Sequence, residues 1–385
     1  MVGSTASNTI EDWFQTGRRV VIKVGSSLLT DTATGSLRER WLRTIVRDIG
    51  ALHKTGTQVV LVASGAVALG RSALSLGAGP LRLDESQAAA AAGQVLLANA
   101  FQTAFATLNL PVAQVLLTYH DTENRRRHLN ARRTLQTLLD VGAVPVVNEN
   151  DTVATDELRY GDNDRLAARV AQMIDAQMLV LLSDVDGLYD ANPTLEPTAQ
   201  HVEQVSEITD EVLAMAGDSV SGVGTGGMRT KVLAARIAAA AGCGVVLGDG
   251  RADHPLATLR AGGRCTRFLP HGTPASARKR WIAGSLERRG VVHIDHGAAS
   301  ALRAGKSLLS AGVLRVEGHF ERGDTVTVKD AEGRDLAVGL CAYDCAEAQK
   351  IVGLRSVDIE ARLGYRGRAA MVHRDDLVMV ERADD

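Results

Sequence analysis

Short apolar segments alternate with longer segments of helical spacing over residues 19–250, and this alternation constrains the fold more than any other feature of the chain. The apolar segments, which we predict to be β-strands, are residues 20–24, 59–63, 112–117, 144–147, 179–182 and 245–247. The predicted helices between them are residues 38–54, 87–108, 126–139, 165–174 and 230–241. Because strands that are apolar along their whole length are buried on both faces, the pattern predicts an α/β fold: a three-layer αβα sandwich with a mainly parallel sheet.

The C-terminal part of the chain has a different pattern. Short β-like segments separated by glycine turns occur at residues 291–294, 313–316, 325–328, 337–340 and 370–373. Before them, residues 264–290 hold seven arginines and lysines but one acidic residue, Glu287. We therefore predict a polar N-terminal tail (residues 1–17), an α/β domain (18–270), a basic linker (271–290) and a small β-rich domain (291–381).

Composition and spacing exclude several classes of protein. The formal net charge is −2, so the chain as a whole has no general attraction to nucleic acids or membrane surfaces. The alanine-rich segment 88–108 is interrupted by Gln94, Asn99 and Gln102, which predicts a core helix rather than a membrane span. The four cysteines lack metal-site spacing, no His-Glu-x-x-His pair occurs, and the first 17 residues show no secretory pattern. We expect a cytoplasmic protein without a zinc site.

Residues 222–231 (Gly-Val-Gly-Thr-Gly-Gly-Met-Arg-Thr-Lys) form a glycine-dense run that leads into a predicted helix. Glycines let backbone amides approach a phosphate, the helix N-terminus adds partial positive charge, and Lys231 adds a full cation. The run is not a Walker A motif, because the lysine does not directly follow the last glycine. It does satisfy the dinucleotide pattern Gly-x-Gly-x-x-Gly, although the residues before it have helical spacing. We favour a polyphosphate cradle, while a nicotinamide site and a loop without ligand stay open.

Polar residues follow three of the predicted strands. They are Lys23 with the turn Gly25-Ser26-Ser27, Ser64 with Gly65-Ala66, and Ser183 with Asp184. Because the carboxyl ends of parallel strands lie at the same edge of a sheet, we expect these residues to converge there. A lysine beside a glycine turn suits phosphate oxygens. Ser64 lacks the Gly-x-Ser-x-Gly spacing of a nucleophile elbow, which favours a ligand contact.

Two acidic, amide-rich loops occur close together, at residues 148–151 (Asn-Glu-Asn-Asp) and 161–164 (Gly-Asp-Asn-Asp). They suit an ammonium group, a magnesium ion, or both. Ordinary turns and helix caps would use the same residues, and Asp164 could cap the helix after it. The segment Asp184-Val-Asp-Gly hints at a calcium loop, but Leu188 occupies the next ligand position and excludes one.

Taken together and in this order, the motifs resemble those of the amino acid kinase family. The matching segments are Lys-Val-Gly-Ser-Ser at 23–27, Ser-Gly-Ala at 64–66, Asn-Glu-Asn-Asp at 148–151, Gly-Asp-Asn-Asp at 161–164, Ser-Asp at 183–184, Gly-Leu-Tyr at 187–189 and Gly-Thr-Gly-Gly-Met-x-Thr-Lys at 224–231. Beyond Arg-Lys-Arg-Trp-Ile at 278–282, the C-terminal region looks like a PUA domain. The resemblance therefore extends over nearly the whole chain.

Within this family, the motifs most resemble those of the members that act on glutamate. This resemblance implies a reaction. ATP would phosphorylate the γ-carboxylate of L-glutamate to give L-glutamyl 5-phosphate, the first step of proline biosynthesis. It also implies Mg²⁺ as a cofactor, L-proline as a feedback inhibitor and a homo-oligomer, either a dimer or a tetramer. Ala63, where the family often has threonine, and the variable pair Val185-Asp186 are small departures that leave the activity expected.

The resemblance also implies residue roles. Lys23 and Lys231 would bind the transferring phosphoryl group and the nucleotide phosphates, and Asp164 would orient the two lysines. Ser64, Asp151 and Asn163 would hold glutamate. The ATP site would be lined by Lys23, Ser183, Asp184, Thr225, Gly226, Gly227, Met228, Arg229, Thr230 and Lys231. No protein ligand to the metal is assigned.

The chemistry of this reaction agrees with the residues. A γ-carboxylate has a pKa of about 4.3 and is ionised at neutral pH, so no general base is needed. The product is a labile acyl phosphate. Because it is labile, we expect the 222–231 loop to close over the product and a glutamyl-phosphate reductase to receive the product. Other carboxylate or carbamate kinases are the nearest rivals. RNA binding is the rival from another class, but residues 291–385 hold 13 basic and 16 acidic residues, which argues against it.

Overall fold

The computed structural model describes residues 10–31, 34–77, 79–154, 163–217, 227–277 and 288–380. The chain divides into two compact units, Met1–Pro274 and Ala275–Asp385. The strands of the first unit are β1 (Arg19–Val24), β2 (Gln58–Ala63), β3 (Val112–Leu117), β4 (Val144–Glu149), β5 (Met178–Ser183), β6 (Leu188–Tyr189), β7 (His201–Val202), β8 (Gln204–Val205), β9 (Gly244–Asp249) and β10 (Cys265–Phe268).

Helices connect these strands. They are α1 (Ile10–Thr16), α2 (Ser26–Leu29), α3 (Glu39–Lys54), α4 (Ala66–Ala73), α5 (Leu83–Ala106), α6 (Tyr119–Glu123), α7 (Arg125–Asp140), α8 (Asn163–Met173), α9 (Asp210–Met215), α10 (Met228–Ala240) and α11 (Pro255–Arg260). All six predicted strands and all five predicted helices are present, with ends that differ by a few residues. The short helices and strands β6, β7, β8 and β10 were not predicted, because segments this short carry too little hydrophobic periodicity.

Eight strands form the main sheet in the order β3-β4-β2-β1-β5-β9-β10-β8. Strands β3, β4, β2, β1, β5 and β9 pair in parallel, and β10 is antiparallel to β9. Alternate residues of β1 belong to different cores: Ile22 packs in the core that includes α3 and α5, and Val21 in the core that includes α8 and α10. Burial on both faces confirms the predicted three-layer αβα sandwich with a mainly parallel sheet.

The prediction of a polar tail over residues 1–17 differs from the structure. Residues 10–16 form α1, whose Phe14 is buried in the core beside α3. The carboxylate of Glu11 accepts two hydrogen bonds from Arg260, both of 2.8 Å. Only two of the seven residues are large aromatics. The segment is therefore polar on average, although one of these aromatics packs in the core.

Helices α4 and α5 approach each other more closely than side chains would permit. A Cβ added at Gly70 would lie 1.7 Å from the carbonyl oxygen of Ala89, and one added at Gly93 would lie 1.7 Å from that of Ala66. Two glycines therefore let the backbones of the two helices touch. Because α4 begins directly after Ser64 and Gly65, this contact fixes the loop at the end of β2.

The second unit is β-rich, as predicted. A six-stranded sheet has the order β12-β16-β15-β14-β11-β13 and surrounds a separate apolar core. Its strands are β11 (Gly290–Ile294), β12 (Leu308–Leu309), β13 (Val313–Gly318), β14 (Thr325–Lys329), β15 (Asp335–Cys341) and β16 (Ala370–Met379). Its helices are α12 (His296–Arg303), α13 (Cys345–Lys350) and α14 (Ile359–Leu363). Residues 278–287 of the basic segment lie outside the described residues.

Helix α7 contains a histidine that makes stability depend on pH. Burial, together with the nearby charges of Arg132 and Arg169, lowers the pKa of His128 from 6.5 to about 4, against a hydrogen bond to the Thr122 carbonyl that raises it. The unfolded chain therefore binds a proton that the folded chain does not. As the pH is lowered from 6.5 to about 4, we therefore expect the free energy of unfolding to fall by up to about 1.4 kcal/mol per pH unit.

Urea unfolding from pH 7.5 to pH 4 would test this. The slope of the free energy of unfolding against pH reports the protons taken up on unfolding. In His128→Gln this slope should correspond to about one proton fewer over that range. His120→Gln, at an exposed position on α6, is the control. An unchanged slope in His128→Gln would contradict the assignment.

Candidate functional site

Two lysines from separate elements share one buried carboxylate. Lys23 lies near the end of β1, Asp164 in the first turn of α8, and Lys231 in the first turn of α10. The Nζ of Lys23 lies 2.5 Å from Asp164 Oδ1, and the Nζ of Lys231 lies 3.0 Å from Asp164 Oδ2. Asp164 is fully buried and each lysine is 6% exposed. Three residues far apart in the sequence thus form one charged cluster, which we call the Lys-Asp-Lys cluster.

The electrostatics of this cluster keep the carboxylate ionised. Burial by itself would raise the pKa of Asp164, but the charges and hydrogen bonds of Lys23 and Lys231 outweigh burial and lower it. The cluster carries two formal positive charges and one negative charge, a net charge of +1. A cationic group held rigidly at a strand end is suited to an anion such as a phosphoryl group.

A network of side-chain amides lies beside the cluster. The Nδ2 of Asn163, which has two N–H groups, lies within hydrogen-bond distance of three oxygens: the Ala63 carbonyl (2.8 Å), Ser64 Oγ (2.9 Å) and Asn148 Oδ1 (2.8 Å). Asn148 Nδ2 in turn donates to Gln94 Oε1 at 2.7 Å. The structure therefore joins the predicted substrate residues Ser64, which directly follows β2, and Asn163, which begins α8. Because Asn163 directly precedes Asp164, the amide network and the Lys-Asp-Lys cluster are adjacent.

Asp151, the third predicted substrate residue, follows β4 and lines a cavity of about 280 Å³. Glu149 lines the same cavity, so it is bordered by two carboxylates and by the side-chain amides of Gln94, Gln114 and Asn150. Such a wall suits a cation with several N–H donors, for example a primary ammonium group. Gln94 belongs both to this wall and to the amide network.

The sequence interpretation overlooked Gln94. It treated this glutamine only as an interruption of an apolar helix. A polar side chain between the buried residues Gly93 and Leu97 was the available signal, but a spacing of this kind does not reveal the partner. Asn148 was noticed within its motif, without a role of its own.

The predicted ATP residues that the structure describes lie at the carboxyl ends of β1 and β5 and at the start of α10. Ser183 ends β5, and its hydroxyl donates to Asp184 Oδ1 at 3.1 Å. A Cβ added at Gly25 would lie 3.9 Å from Lys23 Nζ, so the backbone passes close to the lysine. Gly227 caps α10, whose first turn is Met228, Arg229, Thr230 and Lys231.

Part of the predicted site lies outside the described residues. This holds for Thr225 and Gly226 of the glycine-dense run and for Gly161 and Asp162 of the second acidic loop. In the ranges that are described, no three histidine, cysteine or acidic residues are grouped as a metal site. No helix in those ranges is long and apolar enough to cross a membrane.

Comparisons with known proteins agree with this geometry. The pattern of the amino acid kinase family matches residues 18–249, and that of the PUA domain matches residues 290–363. Glutamate 5-kinase 1 of Rhizobium meliloti is 57% identical over 94% of this chain and 92% of its own length. Glutamate 5-kinase of Paramagnetospirillum magneticum is 56% identical over 94% of this chain and 98% of its own length.

Proposed function

The chain belongs to the amino acid kinase family, and we propose that it uses ATP to phosphorylate the γ-carboxylate of L-glutamate. The product is L-glutamyl 5-phosphate, and the reaction is the first step of proline biosynthesis. The observation that carries this proposal is the Lys-Asp-Lys cluster, because it places two cations on one rigid support at the edge of the sheet where ligands bind. The identity to glutamate 5-kinases over nearly the whole chain supports the choice of substrate.

In the proposed mechanism an oxygen of the γ-carboxylate attacks the γ-phosphorus of ATP. A bond forms between that oxygen and phosphorus, the bond to the β,γ-bridging oxygen breaks, and ADP leaves with the electron pair. The nucleophile is already ionised, so no proton is moved by the protein. Lys23 and Lys231 neutralise the charge on the transferring group and on the nucleotide phosphates. Asp164 holds both ammonium groups in place before ATP binds, so that little reorganisation accompanies the reaction.

Magnesium fits this arrangement as a companion of the nucleotide. Mg²⁺ is commonly held by substrate phosphates and water with one or two carboxylates. Asp164 is committed to the two lysines, whereas Asp184 is exposed at the end of β5 and could supply such a carboxylate. When bound, the ion would shield the charge of the β- and γ-phosphates.

Ser64, Asp151 and Asn163 hold glutamate in this proposal. The acidic wall formed by Glu149 and Asp151 favours a free α-ammonium group over an acylated amine, and therefore glutamate over N-acetylglutamate. Asn163 directly precedes Asp164 and contacts Ser64, which supports a position of the bound side chain close to the transferring phosphoryl group.

A hydroxylamine trap tests the proposal, because hydroxylamine converts acyl phosphates into stable hydroxamates. With ATP and Mg²⁺, we expect hydroxamate from L-glutamate and none from N-acetylglutamate or L-aspartate. Signal from one of the other acids would keep phosphoryl transfer and change the substrate. Absence of signal from all three would contradict the proposal and would favour the RNA-binding alternative.

Further properties form part of the same proposal. We propose inhibition by L-proline, a homo-oligomer, transfer of the labile product to a glutamyl-phosphate reductase, and a cytoplasmic location. We also keep the predicted linker over residues 271–290 and PUA-like domain over 291–381, and we extend the predicted kinase domain (18–270) to include helix α1. The same assay with added L-proline examines the first property, and sedimentation of the purified chain examines the second.

A further inference from the structure

A chain of three side-chain amides connects helix α5 to the proposed glutamate site. Gln94 Oε1 accepts from Asn148 Nδ2 at 2.7 Å, and Asn148 Oδ1 accepts from Asn163 Nδ2 at 2.8 Å. Asn148 is 2% exposed, so solvent cannot replace its partners. Asn163 has a proposed contact with the substrate. Gln94 lies two amides away from Asn163 along this chain and also lines the cavity beside Asp151.

Two backbone groups determine which way the asparagine amides face. The backbone N–H of Glu149 donates to Asn148 Oδ1 at 2.9 Å, which fixes the oxygen of that amide. The carbonyl of Ala63 accepts from Asn163 Nδ2 at 2.8 Å, which fixes the nitrogen of the second amide. The amino group of Asn148 must consequently face α5, where Gln94 Oε1 accepts its hydrogen bond. A buried amino group without an acceptor would be costly, so Gln94 stabilises this orientation.

The orientation decides what Asn163 offers to a ligand. Its nitrogen lies among three oxygens, those of Ala63, Ser64 and Asn148, so both of its N–H groups are used, and within the described part of the chain no donor contacts its Oδ1. An oxygen acceptor matches the α-ammonium group of an amino acid. We infer that Gln94 is a positioning residue that holds the amides of Asn148 and Asn163 so that Asn163 Oδ1 faces the ammonium group of L-glutamate. This inference rests on the proposed function.

Loss of the Gln94 acceptor should act on glutamate affinity. Without it the amide of Asn148 can turn over, and its amino group would then oppose the donors of Glu149 and Asn163. The fraction of enzyme with correctly oriented amides falls, and the apparent affinity for glutamate falls by the same factor. Enzyme that has bound glutamate has the correct orientation, so turnover is retained. Lys23 and Lys231, on which ATP binding is proposed to depend, are both paired with Asp164.

Steady-state kinetics on the full chain test the inference. For Gln94→Met, which has similar length and lacks the oxygen, we expect the KM for L-glutamate to rise about 10-fold. The kcat and the KM for ATP should stay within about 2-fold of wild type. Gln94→Glu keeps an oxygen acceptor and should stay within about 3-fold in every parameter. Gln102→Met, an exposed glutamine on the same helix, is the control.

A double-mutant cycle separates positioning from direct contact. If Gln94 acts through Asn163, then Gln94→Met should change the KM for glutamate by less than about 2-fold in an Asn163→Ala background. Additive effects would overturn the inference and indicate direct contact of Gln94 with the substrate. If Gln94→Met and Gln94→Glu instead both changed kcat, the KM for glutamate and the KM for ATP to the same extent, that result would overturn the inference in favour of a purely structural role. A wild-type chain inactive on L-glutamate would instead refute the proposed function.

Discussion

Replacing Lys23 by alanine is expected to lower kcat for phosphorylation of L-glutamate by at least about 10²-fold, as does loss of one preorganised donor in other enzymes. Lys23 is 6% exposed and lies 2.5 Å from the carboxylate of Asp164, so its ammonium group is positioned before ATP arrives. Lys231 contacts the other oxygen of the same carboxylate, Oδ2. In the variant, a cation from solvent would have to be ordered around the transferring group in each reaction. This ordering raises the activation free energy and so lowers kcat.

The hydroxylamine assay under saturating substrates provides the measurement. Lys54→Ala removes an exposed lysine at the end of α3 and should retain wild-type turnover. The fold should persist in Lys23→Ala, because Asp164 keeps its bond to Lys231 at 3.0 Å. Near-normal turnover in Lys23→Ala would refute both the role of this lysine and the proposed mechanism.

Replacing Asp164 by asparagine should affect stability as well as catalysis. The substitution keeps the shape of the side chain but leaves the ammonium groups of Lys23 and Lys231 close together without a negative charge. Removal of one partner from a buried ionic cluster typically costs about 3–5 kcal/mol, because the remaining charge stays desolvated. We expect the free energy of unfolding to fall by this amount, and turnover to fall with the loss of lysine orientation.

Urea unfolding of the variant measures the first effect. Asp253→Asn is the matched control, because Asp253 pairs with Arg40 at 2.9 Å on the surface, where such pairs contribute about 0–1 kcal/mol. In the double variant Lys23→Met/Asp164→Asn one of the two repelling charges is absent, so part of the lost stability should return. A double variant less stable than Asp164→Asn would show that charge repulsion is not the cause.

Much of the α/β fold could be predicted because buried parallel strands must be apolar along their length. The residues of β1 illustrate this, since Val21 and Ile22 pack in opposite cores and both are fully buried. The prediction failed where periodicity was short or diluted. Helix α1 was taken for part of a tail, although its Phe14 is buried, and β10 was missed in a segment of four residues.

The site was predictable to a smaller extent. Lys23 and Ser64 could be placed at one sheet edge because each follows or ends a predicted strand, and parallel strands end at a common edge. Lys231 could be assigned to an anion site from the glycines before it. The partner that these lysines share could not be worked out from spacing, and Gln94 gave no signal beyond its polarity.

The sequence by itself determined the fold class and the edge of the sheet at which the chemistry lies, because both follow from local patterns of apolar, glycine and polar residues. Local patterns alone did not determine how charges and amides are paired. The family resemblance implied that Asp164 orients the two lysines, and the tertiary structure decided the geometry of that cluster and the pairing of the amides. Asp164 forms ion pairs with Lys23 and Lys231, and Asn163 forms a hydrogen bond with Asn148. The physical reason is that pairing energies act over a few ångströms in space, whereas the residues concerned are brought together by strand order and helix packing rather than by their positions along the chain.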